Sequence, residues 1–288
     1  MLNPQWLKTL RAVIAEKGFQ AAAETLSISQ PTVSLHISKL EQQLGVALIN
    51  RNKTACHPTE AAKRLMPFID SILNLNQQAI EAIAKDSIRV GASSNIGIYM
   101  LQPPISAYLD KQGASHIELM IDNNPNIVRK MVNFELDIAV VEWWQPEAGF
   151  ITKLWKVEPL VFITSPQNSL GKLKEISLEQ LQHFSLIGGE IGTGTGRILS
   201  EKFTGHLKVP RTSMQLGSTE AVKQAVKAGM GVSLVPASSV IDEVTQGSLC
   251  AVPVAQGALS KSLMIVMRES NQPNRSQQNF INHLNSSI

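Results

Sequence analysis

Between Ser29 and Gly45 the sequence SQPTVSLHISKLEQQLG carries Gln30, Pro31, Thr32, Ser34, Leu35 and His36 in one short segment. An amide, two hydroxyls and an imidazole can exchange hydrogen bonds with base edges in a DNA major groove, and a leucine can touch a thymine methyl. Lys39, Arg51 and Lys53 follow as cations suited to phosphate oxygens. His36 has no second His, Cys or acid spaced to share a metal, so it reads as a polar groove residue. The chemistry expected of this set is non-covalent recognition of a duplex.

Those groups need a helix to hold them. Val33, Ile37, Leu40 and Leu44 recur at helical spacing and form one narrow apolar stripe. Pro31, Thr32, Leu35, Ser38 and Lys39 then point away from it, with Ser34 and His36 on its flanks. Ser29 or Gln30 can cap the helix, Pro31 suits its first turn, and Gly45 stops it. A second compact helix, Phe19–Leu26, precedes it across the short Ser27-Ile28-Ser29 turn, and two helices so joined read as helix-turn-helix. The stripe by itself fits any core helix; the pair is what points to DNA. Asn3 caps and Pro4 starts an earlier helix with Trp6, Leu10, Val13 and Ile14 inward, and Gly18 is expected to end it. Val46–Ile49 and Cys56–Pro58 flank Asn50–Thr54, a hairpin with Arg51 and Lys53 at its tip that reads as a wing against phosphates or the minor groove; an ordinary solvated turn is the plainer alternative.

The charge distribution agrees. The chain has 288 residues and a net charge of +3, but residues 1–64 hold eight basic and four acidic groups, leaving the rest at −1. The positive excess therefore sits with the helix-turn-helix, and a dimer would double it. With 43% hydrophobic and 17% charged residues the balance is globular, and the length fits two or three units. Neither a signal peptide nor a membrane span is expected, and Cys56 and Cys250 lack a CxxC partner. They read as buried, reduced thiols in a cytoplasmic protein.

From Thr59, a helix is expected to run to about Lys85, with Leu65, Phe68, Ile72, Leu75 and Ala79 on a heptad seam that would be covered by the same helix of a second chain. Packing onto its own domain is the alternative for that seam. Pro67 predicts a kink or restart near Met66. Beyond Ser87, short apolar strands alternate with helices, including Ile98–Asp110, Asn126–Phe134 and Gly196–Phe203, which predicts α/β structure with largely parallel sheets in two lobes. The expected boundaries are 1–58 for the winged helix-turn-helix, 59–86 for the linker helix and 87–288 for the two-lobed domain, with one lobe over 87–161 and 268–288 and the other over 162–267.

Ligands of such folds bind at strand carboxyl ends. Four strand-to-helix junctions carry small donors: Ser93-Ser94-Asn95, Asn123-Asn124, Thr193-Gly194-Thr195 and Ser218-Thr219. Each alone serves equally as an N-cap. Together, with the helix N-termini behind them, they would suit a carboxylate or other small anion. Gly192-x-Gly194-x-Gly196-Arg197 lacks the Lys-[Ser/Thr] of a P-loop and the dinucleotide spacing, so it reads as a turn bringing N–H groups to the cleft. Trp143-Trp144 either walls a bulky ligand or shields the crossover between lobes. No HExxH, GxSxG or Cys-His spacing supports catalysis, and no cofactor or metal is expected.

The whole chain resembles the LysR-type transcriptional regulators. The resemblance is carried by Ala22-Ala23-Glu24-x-Leu26, by Ser29-Gln30-Pro31-x-Val33-Ser34-x-x-Ile37-x-x-Leu40-Glu41-x-x-Leu44-Gly45, and by Arg51 and Thr59. Glu135-Leu136-Asp137-Ile138-Ala139, Gly192–Arg197 and Ala228-Gly229-Met230-Gly231-Val232 follow in the family's order. Departures include Leu35 and His36, where longer polar or basic side chains are common, and Ile49 in place of a common Phe. The resemblance implies a winged helix, a dimerising linker helix and a two-lobed effector domain like a type 2 periplasmic binding protein. It implies a homodimer or homotetramer that binds a promoter operator in double-stranded DNA, is switched by a small molecule between the lobes, and acts on RNA polymerase. A cytosolic solute-binding protein, or an α/β enzyme with an appended DNA-binding domain, are the competing readings.

Overall fold

Asn3 starts the first helix by accepting a hydrogen bond from the Gln5 N–H at 2.9 Å, and Pro4 occupies the first turn of α1 (Pro4–Ala15), where its missing N–H costs nothing. The computed structural model describes residues 1–51, 56–84, 87–112, 116–181, 183–189, 194–203, 211–255, 259–269 and 275–286. Lys17, at φ +55°, makes the left-handed turn that closes α1, not Gly18. Gly18 is instead extended and is the N-cap of α2 (Phe19–Leu26). Ser29 caps α3 (Gln30–Leu44), its Oγ accepting from the Thr32 N–H at 3.2 Å, and Gly45 closes that helix at φ +68°.

Leu7, Leu10 and Val13 of α1, Ala22 and Ala23 of α2, and Val33, Ile37 and Leu40 of α3 form one buried cluster with Leu48, Ile49, Ala62 and Ile69. The expected first wing strand begins late: β1 (Ile49–Arg51) pairs antiparallel with β2 (Cys56–Pro58). Its approach is held differently, because Glu41 Oε1 accepts from the Leu48 and Ile49 N–H groups at 2.7 and 3.2 Å. Thr59 caps α4 (Glu60–Ala84), accepting from the Ala62 N–H at 3.2 Å. No restart interrupts α4 at Pro67: the helix runs through it and forgoes one internal hydrogen bond, while Ser71 Oγ donates to the Pro67 carbonyl at 3.0 Å.

The chain divides into two compact units, Met1–Asp86 with Val132–Glu135, and Ser87–Met131 with Leu136–Ile288. The second contains β3 (Ser87–Ser93), α5 (Ser94–Tyr99), α6 (Gln102–Gln112), β4 (His116–Asp122), α7 (Asn124–Val132), β5 (Ile138–Val141) and β6 (Phe150–Thr164). It continues with α8 (Leu178–Leu181), β7 (Ser185–Ile187), α9 (Gly194–Lys202), β8 (Arg211–Met214), α10 (Thr219–Lys227) and β9 (Ser233–Pro236). The last elements are α11 (Ile241–Thr245), β10 (Cys250–Pro253), β11 (Ser260–Arg268) and α12 (Arg275–Ser286).

The helix expected over Ile98–Asp110 is two helices, because Pro103 and Pro104 lack the N–H groups a continuous helix would use and sit instead in the first turn of α6. The largely parallel arrangement is also corrected. In the seven-stranded sheet, ordered β10-β6-β11-β5-β3-β4 with β9 on β6, only β3 with β4 and β3 with β5 pair in parallel. The long β6 and β11 run antiparallel to each other and to their other neighbours in this sheet. They join two cores: Trp155, Leu263 and Ile265 pack with Ile88, Val90 and Phe280, whereas Leu160 and Phe162 pack with Leu186, Leu199 and Leu234. Arg89 and Asp137 tie β3 to the turn before β5 through a part-buried ion pair at 2.9 Å. Cys56 and Cys250 are free thiols and half-buried, less enclosed than expected. Among the described residues, no helix is long and apolar enough to cross a membrane.

Candidate functional site

In the first unit, burying Val33, Ile37 and Leu40 turns the opposite side of α3 outward. Gln30, Pro31, Leu35 and Lys39 are exposed, Leu35 to 51%, and Thr32, Ser34 and His36 are half-buried beside them. The Ser29 and Thr32 hydroxyls lie 2.8 Å apart, so the cap also orients Thr32. Lys39 Nζ lies 5.7 Å above the Trp6 ring, which steers a flexible cation. Arg51 ends β1; Lys53 lies outside the described residues.

His36 is held from α1, a contact the sequence reading missed. Its Nδ1 lies 2.9 Å from Thr9 Oγ1, and the Thr9 hydroxyl donates its proton to the Gln5 carbonyl at 2.8 Å. Thr9 can then only accept, so Nδ1 carries the imidazole hydrogen and Nε2 is left as an acceptor. Burial, and then the Lys39 charge, push the His36 pKa below its usual value, which favours this neutral form. The one sequence signal for Thr9 was a hydroxyl between Lys8 and Leu10 on a helix whose inner face is otherwise apolar.

The α4 seam divides between two environments. Leu65 and Ile72 are half-buried and pack with Ile69 onto the unit's own core. Phe68 is 65% exposed and Leu75 43%, with Ala79 also exposed, and Ile80, absent from the expected set, is exposed to 58%.

In the second unit, a cavity of about 510 Å³ is lined by Ser93, Ser94, Asn95, Asn123, Asn124, Gly194, Thr195, Ser218 and Thr219. Thr193 lies outside the described residues. The sequence reading missed Ile98, Tyr99 and Val222 on the apolar wall, and the charged Glu142, Lys261 and Glu220. Trp143 and Trp144 are not among the lining residues: Trp144 packs on Phe150, ring centroids 5.2 Å apart, and Trp143 lies under the Arg197 guanidinium at 5.6 Å.

Many of the expected donors are spent on positioning one another. Ser93 Oγ donates to Asn124 Oδ1 at 2.7 Å, and the same oxygen accepts from the Glu142 N–H at 2.8 Å. Ser94 Oγ donates to the Asp122 carbonyl at 3.0 Å, and Ser218 Oγ caps α10 through the Ala221 N–H. Thr219 Oγ1 donates to Asn95 Oδ1 at 2.7 Å, Asn95 Nδ2 to Glu142 Oε1 at 3.0 Å, and Lys261 Nζ to Glu142 Oε2 at 3.0 Å. Behind the wall, Lys223 reaches Glu220 at 2.8 Å, Glu243 at 2.9 Å and the Ser239 carbonyl at 3.0 Å, beneath the Tyr99 ring. Burial alone would lower the Lys223 pKa, but the hydrogen bonds to Glu220 and Glu243 outweigh it and hold it above the ordinary lysine value.

The LysR substrate binding domain matches residues 84–287, and the bacterial regulatory helix-turn-helix protein, lysR family, matches residues 4–63. The chain belongs to the LysR family. PtxE of Stutzerimonas stutzeri, assigned as an HTH-type transcriptional regulator, is 43% identical to this LysR protein over 196 residues, 68% of this chain and 100% of PtxE. The full-length CbnR structure, complexed with its target DNA, aligns with TM-score 0.72 at 20% identity, covering 99% of this chain and 100% of CbnR. The CcmR regulatory domain of Synechocystis PCC6803 in complex with 2-PG aligns with TM-score 0.63 at 22% identity, covering 70% of this chain and 96% of CcmR. This LysR protein is thus a transcriptional regulator with a winged helix-turn-helix and an α/β ligand-binding domain.

Proposed function

We propose that this regulator reads an operator in double-stranded promoter DNA through Gln30, Pro31, Thr32, Ser34, Leu35 and His36, with Lys39, Arg51 and Lys53 on the backbone. The observation that carries this reading is the burial pattern of α3, which leaves its capped, polar N-terminal half free to meet a groove. In this reading residues 1–58 are the reader, 59–86 the linker and 87–288 the effector domain. The linker pairs with its copy through Phe68 and Leu75, helped by Leu65, Ile72 and Ala79, giving a homodimer that assembles further into a homotetramer in the cytoplasm.

A small effector, a carboxylate or other small anion, occupies the cavity lined by Ser93, Asn124, Thr195 and Thr219, as CcmR carries 2-PG. It must bind one arrangement of the assembly better than another, since equal affinity would shift nothing. The protein works by this linkage, through RNA polymerase, without catalysing a reaction. A footprint of the full chain on its own promoter region tests the reading. A protected duplex site, lost when Thr32 and Ser34 are replaced by alanine, is the expected result; protection that survives in that variant refutes it.

A further inference from the structure

Lys261 is enclosed at the start of β11, its side chain 3% exposed, and its Nζ donates to Glu142 Oε2 at 3.0 Å. An ammonium has three N–H groups, and among the described residues Glu142 is its one partner. The Glu142 side chain is 8% exposed and its other oxygen accepts from Asn95. The pair lies at the positive end of the nine-residue helix α9. A Cβ on Gly194, the first residue of α9, would stand 1.8 Å from Glu142 Oε2 and 3.0 Å from Lys261 Nζ, so only glycine admits the carboxylate there. Thr195, the next residue, is 8% exposed, faces the cavity and makes no side-chain hydrogen bond among the described residues.

A helix N-terminus, an enclosed ammonium with one partner among the described residues and the Thr195 hydroxyl facing the cavity together suit an anion. The anion beside them is the protein's own. We propose that the effector's anionic group takes the place of the Glu142 carboxylate beside Lys261, Gly194 and Thr195, so that Glu142 sets how much effector is needed to switch the regulator. This deepens the reading above and rests on the cavity being the effector site. The Glu142 carboxylate already fills the opening that Gly194 leaves beside Lys261, so an anion seated in that opening must displace it. The ligand class is a molecule with a carboxylate or tetrahedral oxyanion head, its body against Ile98 and Tyr99. Expulsion also frees Asn95, which otherwise holds Glu142 with its Nδ2 and the start of α10, through Thr219, with its Oδ1. The exchange at Lys261 therefore loosens the link between α5 and α10.

The test titrates the full chain with acetate, sulfate and inorganic phosphate separately, at ionic strength fixed with sodium chloride, and reads binding by calorimetry. Glu142→Gln removes the resident charge and keeps the shape. Its Kd for at least one probe should fall by about tenfold or more relative to wild type, and Lys261→Met in the same background should abolish the gain. No gain in Glu142→Gln, or a gain that survives Lys261→Met, overturns the proposal. Should Glu142→Gln fail to fold, Glu142→Asp, one methylene shorter, carries the test: a smaller gain supports displacement, and affinity equal to wild type overturns it. A gain that Lys261→Met removes, with operator retention that no anion alters, supports the role of Glu142 and overturns the regulatory reading of the cavity.

Discussion

The Thr9 hydroxyl fixes the tautomer of His36: having given its proton to the Gln5 carbonyl, it can only accept from Nδ1. The imidazole then offers Nε2 as an acceptor, which matches the amino groups of adenine or cytosine in a major groove. Thr9→Val should leave the Nδ1 hydrogen unpaired, lower stability by about 1 kcal/mol and weaken operator binding. Nitrogen NMR of the histidine ring reads the tautomer directly, and an Nε2–H form in the wild type would contradict the assignment.

Phosphate and base contacts separate by salt. Lys39→Ala and Arg51→Ala should weaken all duplexes alike and flatten the dependence of log K on log salt by about one unit each. Thr32→Ala or Ser34→Ala should instead cost about 1–3 kcal/mol of discrimination between sequences with the slope unchanged. Fluorescence anisotropy at several salt concentrations distinguishes the two patterns, and identical behaviour would void the division of roles.

Pro67 is exposed, and the N–H it lacks would have bonded within α4. Pro67→Ala should therefore stabilise the first unit, by up to about 3 kcal/mol. Thermal unfolding checks the sign.

Asp137 meets Arg89 through both carboxylate oxygens and also accepts from the Arg89 backbone N–H, with side chains 18% and 11% exposed for Arg89 and Asp137. Asp137→Ala strands a largely enclosed guanidinium and should cost about 3–5 kcal/mol. Denaturant unfolding of the second unit should show it.

The Lys223 cluster makes the same unit sensitive to acid. The Lys223 hydrogen bond holds Glu220 below the ordinary carboxylate pKa. Burial would raise Glu243, but bonds from Lys223 and Lys227 bring it below as well. Carboxylates with depressed folded pKa values stabilise fully above the unfolded value near 4.5, and that contribution disappears as pH falls through the folded values. Lys223→Met should flatten the fall in melting temperature over the acid range. An unchanged acid profile would remove the cluster from the account.

What the sequence disclosed depended on how far apart the interacting residues lie. The stripe of α3 and its Ser29 cap are readable because both obey the period of one helix. The four junctions around the cavity are readable because each is a local strand-to-helix signal. Glu142 and Lys261 stand 119 residues apart, and nothing local to either marks the pairing. The first half of β6 escaped detection for a related reason. Ile151, Leu154 and Val157 are exposed while Trp155 and Glu158 are buried, so no alternation marks Phe150–Glu158 as strand. The cause is a break in register with β11: Lys156 faces Leu263, Leu154 faces Met264, and Trp155 is the extra residue.

That extra residue has a mechanical consequence. Trp155 is anchored in one core, its indole N–H donating to the Leu284 carbonyl at 3.1 Å, while the same strand a few residues on is embedded in the other core through Leu160 and Phe162. A bulge sharpens the local twist of a ribbon without severing it. The β6–β11 pair thus passes from one core to the other as an unbroken hydrogen-bonded ribbon, wound more tightly at Trp155, and a torque on either core is carried to the other through it.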